Sequence, residues 1–161
     1  MTTLTVLIDR QRACEQRCPS RRSLERWVSR TLAGLAGGPD DAEVTVRYVE
    51  AEESCSLNAR FRGKDRATNV LSFPATEDPV PLEAPPGTHP LYLGDLVICP
   101  TVVEREASDQ NKSRRAHHVH MVVHGILHLL GYDHLTAGEA EQMESIEIRV
   151  LASLGYPDPY T

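Results

Sequence analysis

No run of apolar residues in this sequence approaches the roughly 20 needed to cross a bilayer. The opening, "MTTLTVLIDR", has neither a basic flank nor a small-residue cleavage site, so it reads as a first strand rather than an export signal. A cytoplasmic location is the expectation that follows. Cysteine is sparse: Cys14 and Cys18 have three residues between them rather than two, while Cys55 and Cys99 stand alone. Such spacing suggests neither a disulfide framework nor a zinc ribbon. Cys99, in "LVIC", reads as a small buried hydrophobe. Positive charge is not in excess, with 17 Lys and Arg against 23 Asp and Glu, and a net charge of −6 argues against general adhesion to nucleic acid. There is no internal repeat.

What remains is a globular composition, 40% hydrophobic and 25% charged over 161 residues, expected to form a single domain spanning 1–161. "LTVLID" alternates like a strand, and "EVTVRYVE" alternates again with Val44, Val46 and Tyr48 on one face. Between them, Leu24, Trp27, Val28, Leu32 and Leu35 fall at helical spacing in a segment expected to close on Gly37 and Gly38. "ESCSLNARFR" reads as a short helix ending near Gly63, "TNVLSF" as a strand stopped by Pro74, and "DLVIC" as a short buried strand. Pro100 is placed to open a helix. "EDPVPLEAPPGTHPLY" holds five prolines and reads as a long irregular loop. A last helix is expected over "TAGEAEQMESIEIRVLASLG". Thr136 and Glu139 form a capping box there, and Met143, Ile146, Val150 and Leu154 make the inner stripe. Such an order points to an α+β fold, a small mixed sheet flanked by helices, rather than a bundle or sandwich.

Charge is unevenly spread. Arg60, Arg62, Lys64 and Arg66 crowd into "ARFRGKDR", Arg114 and Arg115 precede the histidine segment, and Glu139 to Glu147 is acidic. Each cluster reads either as a solvated face or as a contact for a charged ligand.

"SRRAHHVHMVVHGILHLLG" reads as a helix from about Ser113, stopped by Gly131. At about 100° per residue, His117, His120, His124 and His128 fall within one sector roughly 80° wide. Nearly every other position from Val119 to Leu130 is apolar, which places the helix in the core. A buried imidazole left unpaired costs on the order of 1–3 kcal/mol, so these rings need partners. His124 and His128, four apart, share a face and can reach one ion. Gly131 lets the chain turn back, Tyr132 and Asp133 form the return, and His134 supplies a third nitrogen from another direction. Three imidazoles with a fourth position left to water suit a catalytic zinc rather than a closed structural one, although nickel or cobalt also take imidazole. His117 and His120 read as packing residues or as supports behind the ligands, and Asp133 either orients a ligand or stabilises the turn.

The spacing H-x3-H-x2-G-x2-H matches the metzincin metalloproteases, whose general base is a glutamate after the first histidine. That position is Gly125 here. A peptidase therefore needs another carboxylate, such as Asp133 or Asp95, and Met143 falls on the final helix rather than in a turn.

"HGILHLLGYDH" resembles the signature of the YbeY family, single-strand-specific endoribonucleases that resemble zincins in fold. "FRGKDRATNVLSFP", "GDLVIC" and "LGYPDPY" resemble further blocks of that family, over roughly residues 45–160. The resemblance implies a zinc ion on His124, His128 and His134 and a functional Arg62. It implies action in ribosomal RNA maturation (the 16S 3′ end) and ribosome quality control, with single-stranded RNA and the ribosome or its proteins as partners. Arg62 fits such chemistry, because a guanidinium fork can balance charge on phosphoryl oxygens. Arg60, Lys64 and Arg66 read as phosphate contacts or surface charge, and Thr68 and Asn69 as groove or strand-end residues. The nucleophile is left open between a metal-activated water and the RNA 2′-hydroxyl. Two other functions stay in view: a zinc peptidase or related hydrolase, and a ribosome assembly factor whose metal is structural.

Overall fold

The structure, a computed structural model, describes residues 5–35, 41–76 and 91–161. There are four strands: β1 (Thr5–Ala13) and β2 (Asp41–Val49), whose burial alternates, and β3 (Val70–Pro74) and β4 (Leu91–Ile98), which carry consecutive buried residues. They form one mixed sheet in the order β1-β2-β4-β3, with β1, β2 and β4 parallel and β3 antiparallel to β4. Five helices accompany it: α1 (Arg21–Ala33), α2 (Ala51–Arg62), α3 (Pro100–Asp109), α4 (Arg114–Leu129) and α5 (Ala137–Ser153). The chain is thus α+β, as its pattern of elements suggests.

Local chemistry sets the helix ends. Ser20, Ser113 and Thr136 cap α1, α4 and α5 by accepting the backbone N–H three residues on. Pro100 occupies the first turn of α3. Gly63 ends α2 at φ 69°, a left-handed conformation that leaves Arg62 on the helix's last turn. Two sequence expectations need correction. α1 stops at Ala33 with Gly34 as its cap, short of the glycine pair. Leu91 and Tyr92 belong to β4 rather than to the proline-rich loop. Gly37, Gly38 and the prolines 79, 81, 85, 86 and 90 lie outside the described residues.

The sheet's two faces carry cores of unequal size. Val6, Ile8, Val44, Val46, Tyr48, Leu96 and Ile98 pack with the inner faces of α1, α4 and α5. On the other side Leu71, Val97 and Val49 meet Cys99, Val102 and Leu57. All four cysteines are free, and Cys99 is fully buried. In the last helix Met143, Ile146 and Val150 are buried as expected, with Leu154 half-buried against them. α4 lies at the centre and touches β3, β4, α1, α3 and α5. No helix among the described residues is long and apolar enough to cross a membrane.

His118 belongs to this core rather than to any site. It is 5% exposed, between the rings of Trp27 and Tyr48, with its Nε2 3.3 Å from the Tyr48 hydroxyl. Burial, helped by His117, Arg114 and Arg115, brings its pKa from 6.5 down to about 4. Between those values the unfolded chain binds a proton that the native ring refuses. The stability His118 contributes is therefore present above about pH 6.5 and is lost as pH falls toward about 4, by on the order of 3 kcal/mol. Thermal melts from pH 7 to 5 are expected to show a smaller acid-induced drop in Tm for His118→Phe than for the parent protein.

Candidate metal centre

α4 delivers His124 and His128 one turn apart to the same side of the helix. The helix then ends in a Schellman arrangement, with the N–H of Tyr132 on the Leu127 carbonyl at 3.0 Å and that of Gly131 on the His128 carbonyl at 3.0 Å. Gly131 sits at φ 95°, where a side chain would be strained, and the reversal brings His134 back over the end of the helix. The Asp133 carboxylate accepts the His134 backbone N–H at 2.7 Å, so it stabilises the turn.

The three rings converge. His124 Nε2 lies 3.1 Å from His128 Nε2. Ring centroids are 4.5 Å apart for His124 and His128, 5.3 Å for His128 and His134, and 6.0 Å for His124 and His134. One nitrogen from each falls within 4.8 Å of the others, so the trio could hold a metal ion. Two nitrogens bound to one tetrahedral zinc at about 2.0–2.1 Å stand roughly 3.3 Å apart, close to the observed separation. Burial and the neighbouring His124 and His134 rings bring the His128 pKa down to about 4. Its ring is then neutral at pH 7, the form a metal takes without displacing a proton.

Behind the trio lies a buried carboxylate that the sequence reading passed over. Glu147, on α5, is 1% exposed. Its Oε2 is 2.6 Å from His120 Nε2 and 3.3 Å from His124 Nδ1, and its Oε1 accepts the Tyr160 hydroxyl at 2.9 Å. Burial would raise this carboxyl, but hydrogen bonds and charge from His120 and His124 outweigh it and bring it down to about 2. Tied at Nδ1, His124 keeps its Nε2 for the other two imidazoles, the carboxylate–histidine arrangement common behind metal sites. In sequence Glu147 is the end of the acidic stretch Glu139 to Glu147, which reads either as a solvated face or as a contact for a charged ligand. The signal that could have found it is its place on the stripe Met143–Ile146–Glu147–Val150, where a lone acid faces the core.

His120 thus reaches Glu147 rather than the trio. His120, His124 and Glu147 make a second group that could hold a metal ion, but His120 and Glu147 are buried, whereas the trio includes the exposed His134. His117 is farther off, with its Nε2 3.0 Å from Glu106, whose carboxylate also accepts the Asn69 amide.

The trio borders a cleft of about 560 Å³ whose opposite wall comes from the end of α2 and from β3. Arg62, Asn69, Ser72 and Asp133 line it. Arg62 is exposed and makes no ion pair among the described residues. Arg60, Lys64 and Arg66 are exposed nearby but do not line the cleft. Thr68 does not line it either, and its backbone is held by Ser54. Asp95 bonds the Tyr92 hydroxyl on β4 and is likewise outside the cleft.

Gly125 points away from this chemistry. A Cβ there would meet Leu96 Cδ2 at 2.8 Å and Val70 Cγ2 at 3.3 Å, both on the sheet. A glutamate at 125 would be driven into the core and could not serve as a base at the trio.

Together these features define a class: an α+β protein with three histidines on a solvent-open cleft beside an arginine that makes no ion pair among the described residues. The model of the YbeY family, described as endoribonuclease YbeY, matches residues 10–155, and the chain belongs to this family of endoribonucleases. Its structure is similar to the solution structure of the Thermotoga maritima protein TM1509, with 27% sequence identity and a TM-score of 0.58 over 93% of this chain and 91% of that one.

Two predictions test the packing of the centre. Gly125→Ala is expected to destabilise the fold by about 1–3 kcal/mol in urea unfolding, because Leu96 must move. Glu147→Ala is expected to cost on the order of 1–3 kcal/mol, since it removes the acceptor beside His120 Nε2 and His124 Nδ1, against about 1 kcal/mol for Tyr160→Phe.

Proposed function

We propose that the protein is a single-strand-specific, metal-dependent endoribonuclease that matures ribosomal RNA. The observation that carries the reading is the convergence of His124, His128 and His134 opposite Arg62 across one cleft, in a chain of the YbeY family. His124, His128 and His134 are assigned as ligands of one divalent ion, with zinc the best match to three imidazoles. When bound, such an ion polarises a phosphoryl oxygen and lowers the pKa of a coordinated water.

The chain's own residues do the rest. Glu147 holds the His124 ring by its Nδ1, and the Asp133 turn holds His134. Arg62, which pairs with no carboxylate among the described residues, is assigned the catalytic role of placing its guanidinium against the non-bridging oxygens as the phosphodiester breaks. No carboxylate takes the position after the first histidine, so attack falls to an activated water or to the RNA's own 2′-hydroxyl. The 16S 3′ end, the ribosome or its proteins, the cytoplasm and a role in ribosome quality control complete the proposal, by resemblance to the family. Peptidase activity has weaker support. Asp133 is the one carboxylate among the cleft's described lining residues, and it is committed to the turn.

Metal-loaded protein offered single-stranded RNA, duplex RNA and casein is expected to cut the single strand alone. His124→Ala should lose both bound metal and cleavage. Arg62→Ala should keep its metal and lose about 10²–10³-fold in rate, the scale of removing one charge-stabilising donor. Cleavage of casein instead would favour the peptidase. Cutting of neither, with the protein sedimenting with ribosomal subunits, would favour an assembly factor.

A further inference from the structure

Two large apolar side chains stand exposed on the walls of the metal cleft. Phe61, just before Arg62 at the end of α2, is 55% exposed, and Leu135, just after His134, is 82% exposed. The sequence has only two phenylalanines, and the other one buttresses the first. Phe73 of β3 meets Phe61 edge-on at 74°, with centroids 5.1 Å apart, while the Arg60 guanidinium sits 5.2 Å from the Phe61 centroid. The Phe61 ring is therefore held in place at the wall rather than left to swing in solvent.

We propose that Phe61 is a stacking platform for an unpaired nucleobase next to the scissile phosphodiester, with Leu135 giving the base a second apolar contact from the other wall. This deepens the ribonuclease reading and rests on it for the identity of the substrate. Position supports it: Phe61 and Arg62, the latter assigned to the phosphate, both line the cleft that the three histidines border. Chemistry supports it too. Aromatic rings stack on splayed bases in single-stranded RNA, whereas in a duplex each base face is already covered by its neighbours. Phenylalanine has no hydrogen-bonding group, so the platform accepts any base. It would select single strands over duplexes without selecting a sequence.

The test compares wild type with Phe61→Ala, Phe61→Tyr, Phe61→Trp and Leu135→Ala in single-stranded RNA cleavage. For Phe61→Ala, KM is expected to rise about 10-fold or more, with the loss falling on KM rather than kcat. Tyr and Trp should restore it, and Leu135→Ala should show a smaller rise. Metal-stripped Phe61→Trp is then titrated with short single-stranded RNA, and separately with duplex. The native Trp27 is buried, 2% exposed, and gives a constant background read from wild type. Fluorescence quenched by the single strand and not by the duplex supports the platform. An unchanged KM for Phe61→Ala, a loss confined to kcat, or equal quenching by duplex overturns it. Failure of wild type to cut RNA would instead count against the ribonuclease reading, since the fluorescence arm reads stacking without catalysis.

Discussion

Helix α4 is enclosed by β3, β4, α1, α3 and α5, and this enclosure obliges every imidazole it carries to find a partner. Four solutions appear along one helix. His117 uses Glu106 of α3, His118 uses the Tyr48 hydroxyl of β2, and His120 uses Glu147 of α5. His124 and His128, nearest the open end, have each other and His134. The same burial that makes polar rings expensive keeps the rotamers of the last pair fixed, because their neighbours cannot move without opening the core. Precision at the candidate centre is thus a product of packing on the opposite side of the helix.

Much of this was legible from local pattern. Period-two alternation located β1 and β2, Ser113 and Gly131 bounded α4, and the spacing of His124, His128 and His134 marked the trio. These signals are short-range, and they survive folding because caps and turns act over a few residues. Long-range partners were not legible. Glu147 lies 23 residues beyond His124 and Glu106 lies 11 before His117, and only the packing of α5 and α3 on α4 brings them close. In sequence Glu147 is one acid among several, and its inward direction depends on a helical phase that Met143 and Val150 fix. The limits of α1 and β4 were misjudged for a related reason. Glycine and proline mark where a chain can turn, not where the pairing of neighbours stops.

Gly125 shows how a missing group can be structural rather than functional. Compared with a metalloprotease pattern, the glycine reads as a lost base. In three dimensions it is a contact point, where α4 comes so close to Leu96 and Val70 that even a Cβ would force Leu96 to shift. The carbonyl of Gly125 also accepts the Ser72 hydroxyl at 3.1 Å, fastening the helix to β3. Since β3 forms one wall of the cleft, this approach sets the cleft's width. Restoring a glutamate would widen or break the site before it could supply a proton acceptor.

The charge distribution gives the centre a direction. His124 and His134 stand between two surroundings of opposite sign. On one side is the cleft with Arg62, and beyond it the exposed Arg60, Lys64 and Arg66. On the other is a recess lined by Glu144 and Glu147 of α5, with Glu139 and Glu141 exposed on the same helix. An RNA backbone is drawn toward the first side and repelled from the second, an effect that acts within about 8–10 Å in physiological salt. A chain with net charge −6 can therefore still present a positive approach to a polyanion on the Arg62 side of this centre. Weak binding elsewhere follows from the same charge, so an RNA-cutting enzyme built this way depends on contacts at the cleft itself, or on a partner, to find its strand.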